Sequence, residues 1–150
     1  MLDAQTISIL IAAASIVIAA TYYMGVLKNA NRTRQAQLYV QIFDRLNTKD
    51  FIRTWLEVMY HQDWKNAQEW ESKYGPTANL EAATKMFSVG MLYETIGMLV
   101  KEKLIDPSLV FGENPWAAVE TWEKLETVVK VIRESSDPKF WDSFEYLALK

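Results

Sequence analysis

The chain has 150 residues, half of them hydrophobic, a formal charge of −3 and no cysteine. That length suits one membrane segment and one modest domain, and six Trp, seven Tyr and six Phe are too many for a disordered chain. The absence of cysteine excludes disulfides, thiolate metal sites and Cys nucleophiles, and a near-neutral chain without basic excess is not a nucleic-acid binder.

From Ile7 to Leu27 the sequence ISILIAAASIVIAATYYMGVL carries no charge. At about 1.5 Å per residue it spans roughly 31 Å, the thickness of a bilayer's hydrocarbon core. A cleaved signal peptide has a basic n-region and a shorter apolar core. The preceding MLDAQT has neither Lys nor Arg, so the segment reads as a retained anchor. Lys28, Arg32 and Arg34 follow it, while Asp3 lies on the other flank. The positive-inside rule therefore predicts an N-terminus outside the plasma membrane and residues 28–150 in the cytoplasm. Tyr22 and Tyr23 fall where interfacial rings are favoured, and Lys28 can snorkel. Three cations are few for a dedicated lipid site, so their expected role is topological.

Ser8, Ala12, Ser15 and Ala19 are spaced four, three and four apart, which lines them along one stripe. Small side chains let helices approach closely in lipid, so the stripe is a candidate packing seam. No Gly or Pro interrupts Val26 to Leu46, and one helix is expected to continue to Asn47. Leu38, Tyr39, Ile42, Phe43 and Leu46 form its docking face. The expected domains are thus an anchor, 1–28, and a cytoplasmic helical domain, 29–150.

Asn47 or Thr48 caps the next helix, whose predicted buried stripe is Phe51, Ile52, Trp55, Leu56 and Met59. A short helix over Trp64–Tyr74 is closed by Gly75-Pro76. The longest helix of the domain is predicted from Leu80 to Lys103. On it Ala83, Gly90 and Gly97 are seven apart, and glycine in a helix interior points to a close crossing. Asp106-Pro107, Asn114-Pro115 and Asp137-Pro138 each pair a cap with proline at the first helical position. They predict helices through Phe111, to about Arg133 and across Phe140–Leu147, with Trp116 and Trp122 in the core. The fold class is all-α: one transmembrane helix running into a compact bundle of about six helices.

The membrane helix, RTRQAQL after it, YETIGMLVKEKLID and the closing FWDSFEYLA together resemble a prokaryotic family, domain of unknown function 4760. The resemblance covers most of the chain and implies a membrane-anchored helical protein of bacteria or archaea. It implies no activity and no catalytic residues.

Candidate chemistry is sparse. His61 is the sole histidine, and one His with scattered carboxylates such as Glu57 and Asp63 falls short of a zinc or di-iron ligand set. No metal, cofactor or small-molecule substrate is expected. Glu94, inside the apolar run MLYETIGMLV, must be paired or have a raised pKa. It is either a ligand-binding or proton-linked carboxylate or, the favoured reading, one partner of a buried or subunit-bridging ion pair with Arg45, Arg53 or Arg133. The expected function is an anchored interaction protein, a homo-oligomer or an accessory subunit of a larger membrane complex. Its partners are the bilayer and a second copy or another membrane protein. The alternative is an oligomeric pore. An enzyme needs a convergent set of titratable groups, which the sequence does not offer.

Overall fold

The computed structural model describes residues 3–112 and 116–149. Among them are seven α-helices, one π-helical turn and no strand. They run α1 (Ala4–Leu46), α2 (Lys49–Leu56), the π turn (Glu57–His61), α3 (Ala67–Tyr74), α4 (Leu80–Lys101), α5 (Pro107–Phe111), α6 (Trp116–Ser135) and α7 (Asp142–Ala148). The all-α expectation is met. The Asn114-Pro115 start lies outside the described residues.

The chain divides into two compact units, Met1–Gln37 and Leu38–Lys150. The first holds most of α1, a helix long and apolar enough to cross a membrane, with none of its apolar window buried. The boundary falls after Gln37, so the polar stretch 29–37 belongs with the apolar segment.

The second unit is built around α4. Its buried face, Met86, Val89, Tyr93, Ile96 and Val100, meets Ala118, Trp122, Leu125, Val128 and Val129 of α6 and Phe144 and Leu147 of α7. Tyr93 stacks on Phe144 at 5.0 Å, and Trp122 stands edge-on to the same ring at 5.2 Å. The seven-residue glycine spacing does mark a close crossing. Gly90 lies under the Trp141 indole, and Gly97 abuts the Ser143 carbonyl, so a Cβ at either would collide.

Helix ends follow capping chemistry, with three departures from expectation. Thr48 caps α2, its side chain accepting the Phe51 N–H. Helix α3 starts at Ala67 rather than Trp64, because the Asn66 side chain takes the Glu69 N–H and fixes the start there. Helix α4 stops at Lys101 rather than Lys103. Lys103 adopts a left-handed conformation (φ 56°), and the Leu104 and Lys103 N–H groups return to the carbonyls of Leu99 and Val100. That is a Schellman closure with lysine where glycine usually sits. Asp137-Pro138 opens a turn, not a helix: Asp137 accepts the Lys139 N–H on its side chain and the Phe140 N–H on its carbonyl. Trp141 (φ 53°) then breaks the path, and α7 begins at Asp142. The strained tryptophan is held by stacking on Phe140 at 4.5 Å and by its seat on Gly90.

The π turn after α2 has no counterpart in the sequence pattern. The Gln62 N–H reaches back five residues to the Glu57 carbonyl. Lys124 of α6 anchors the turn by donating to the Met59 carbonyl at 2.6 Å.

Candidate functional site

Along α1 the proposed packing stripe is exposed: Ser8, Ala12, Ser15 and Ala19 all stand on the surface of their unit. Ser8 and Ser15 donate their hydroxyls to the carbonyls of Ala4 and Ile11 at 2.9 and 2.8 Å. With their protons engaged in the helix, they present small, nearly apolar surfaces. Tyr22 and Tyr23 are exposed and meet edge to face at 5.8 Å. Lys28, Arg32 and Arg34 are exposed as well.

Glu94 is half-buried, but its partner is not an arginine. Its Oε2 accepts the Phe144 backbone N–H at 2.7 Å. That N–H belongs to the first turn of α7, where the helix's own ladder supplies no acceptor. Trp141, the residue at the cap position, makes no side-chain cap bond. Glu94 therefore caps α7 from another helix. The candidate arginines are differently placed: Arg133 binds Glu145 and the Phe140 carbonyl at 2.6 and 2.8 Å, and Arg53 binds Glu57 at 3.0 Å. Arg45 is exposed.

One surface feature of the second unit is an apolar groove of about 410 Å³. Phe43 of α1, Phe51, Ile52 and Trp55 of α2, Phe111 of α5 and Trp116 of α6 form its walls. Its floor is ordered by Thr121, whose hydroxyl accepts from Trp55 Nε1 at 2.8 Å and donates to the Ala117 carbonyl. Tyr93 also lines the groove, and burial pushes its phenol up to about 12, partly offset by a hydrogen bond with Thr121. Three residues that periodicity marks as buried are half-exposed here: Phe43 at 48%, Ile52 at 44% and Trp116 at 48%. Leu56, one turn beyond Ile52 and likewise expected to be buried, is 41% exposed. The expected core stripes of α1, α2 and α6 are thus only partly covered. Trp116 meets Trp55 edge-on at 5.9 Å, at the rim rather than in the core.

Sequence reasoning did not single out Thr121. The available signal was a hydroxyl on the apolar face of α6, one turn from both Ala118 and Leu125.

His61 is exposed at the end of the π turn and lines an open cleft of about 470 Å³ with Glu57, Gln62, Tyr74, Glu81 and Lys85. The Glu57 carboxylate is taken by Lys85 and Arg53, not by His61, and those two cations hold it below its usual range. Among the described residues no three His, Asp or Glu side chains gather where they would hold a metal.

No curated protein and no solved structure is a significant match to the chain. A family does match, over residues 8–150, nearly the whole length and including every surface above. The chain belongs to that family, described as Domain of unknown function (DUF4760).

Proposed function

We propose that this protein is a single-pass membrane-anchored interaction protein, acting as a homo-oligomer or as an accessory subunit of a larger membrane complex. The observation that carries the reading is the apolar first half of α1, no part of which is buried in its own chain. The core helix of a soluble protein would be covered. A helix that remains bare over a bilayer's thickness is at home in lipid. Lys28, Arg32 and Arg34 at its end favour residues 28–150 in the cytoplasm and the N-terminus outside.

Within the membrane, small residues at Ser8, Ala12, Ser15 and Ala19 favour tight helix packing over a hydrated lining. The inward bonding of Ser8 and Ser15 supports the same choice over a pore. Two measurements test the reading on the full chain. Alkaline carbonate extraction should leave it in the membrane pellet, and the mass of the detergent-solubilised particle should exceed that of one chain. A carbonate-soluble protein, or a monodisperse monomer that co-purifies with nothing, overturns it. Ion flux through liposomes containing the protein alone would replace it with the pore.

A further inference from the structure

We propose that the groove of the second unit is a self-association face, covered in the working protein by the same face of a second copy. This rests on the reading above and names the partner it leaves open. Three different helices contribute residues whose spacing predicts burial, Phe43, Ile52 and Trp116, and all three are left half-exposed around one groove. Scattered exposed apolar side chains are ordinary, but their convergence on one concave surface marks an interface.

The character of the face selects a like partner. Among the described residues no charged side chain lines the groove, so neither an anionic headgroup layer nor an acidic or basic peptide finds a counter-charge there. The face carries both halves of an apolar fit. Ile52 and Leu56 stand out one helical turn apart, and the groove beside them has apolar walls and a floor ordered by the Trp55–Thr121 bond. A two-fold pair sets the protrusions of each copy into the recess of the other, the self-complementary arrangement of an isologous dimer. The sequence of α1 keeps the same count. From Ser8, Ala12, Ser15 and Ala19, continuing by threes and fours gives Tyr22, Val26, Asn29, Thr33, Ala36, Val40 and Phe43, without one charge. Val40 and Phe43 are its exposed cytoplasmic members. A repeat averaging 3.5 residues is the signature of a helix paired with its equal in a left-handed supercoil. Copies anchored by their N-termini in one membrane share one orientation, as such a pair requires.

The absence of native cysteine makes the test direct. Val40→Cys, on the α1 repeat that faces its own counterpart across the two-fold axis, and, as a control on the exposed surface of α6, Glu123→Cys are made in the full chain and oxidised mildly in liposomes. Val40→Cys should give a disulfide-linked dimer and Glu123→Cys should not. Ile52→Glu with Leu56→Glu alters only exposed side chains, so helicity and melting should be retained while the particle mass falls about twofold. Wild-type mass in the double variant, together with no Val40→Cys dimer, overturns the proposed face even though the chain still assembles. A monomeric wild type overturns the homo-oligomer reading with it. A face occupied by a different polypeptide, with no Val40→Cys self-link, also overturns the proposal.

Discussion

At the scale of single residues, the contact between α4 and α7 is decided by one missing methyl group and one carboxylate. At Gly97 a Cβ would meet the Ser143 backbone carbonyl, which cannot swing aside as a side-chain tip can. We expect Gly97→Ala to destabilise the domain by about 3 kcal/mol, the upper range for overpacking. Gly25→Ala, with nothing within 4 Å, should leave thermal melting unchanged. Glu94 contributes through its bond to Phe144. Glu94→Gln keeps an acceptor and should cost about 0.5–1 kcal/mol, whereas Glu94→Ala leaves the N–H bare and should cost about 1–2 kcal/mol. Neither should change the mass of the solubilised particle. A change in mass would assign Glu94 to a contact between subunits.

At the scale of elements, α7 has only seven residues and depends on its neighbours for its start. Its first turn is capped by Glu94, and the left-handed Trp141 before it is braced by Gly90. Truncation after Ser136 should therefore remove more than one helix. With Trp141, Phe144 and Leu147 gone, the α4 face loses its cover, and we expect retained far-ultraviolet helicity with loss of a cooperative melt.

The elements also show what could be read in advance. The α1 span, the Thr48 and Asp106 caps and the Gly90–Gly97 crossing were legible, because each follows from local chemistry or from fixed spacing. The partner of Glu94 was not legible. It is a main-chain N–H 50 positions away, which no side-chain pattern announces. The rim positions Phe43, Ile52 and Trp116 were misplaced for a different reason. Periodicity reports that a face is apolar, not whether its own chain covers it. The π turn escaped because a one-residue widening of the helical ladder changes no composition.

At the scale of the whole molecule, the response to pH follows from two sets of groups. Glu57, Glu69 and Asp142 are held below their usual ranges by Lys85, Lys73 and Lys101 respectively. A carboxylate lowered in the folded state stabilises it above the unfolded pKa, and that contribution is lost as pH falls through the folded value. These groups all remain in contact with solvent, which screens them, so the acid limb should be shallow and confined to pH below about 4.5, the ordinary Glu value. The alkaline limb should be steeper. Tyr93 rises from 10.0 to about 12, so the folded state keeps a proton that the unfolded chain releases, and stability falls between those values. Such a rise is equivalent to about 3 kcal/mol at most. Melting temperatures measured from pH 9 to 12 should show this loss in the wild type and a reduced one in Tyr93→Phe.

The dependence of the α4 face on residues 141–147 also carries a consequence for biosynthesis. Translation delivers α4 before residues 141–147. While that later stretch is still inside the ribosome, α4 is uncovered on one side. Arrested nascent chains ending before Trp141 should be cut readily by protease and held by chaperones, and chains whose residues 141–147 have cleared the ribosome should resist cleavage.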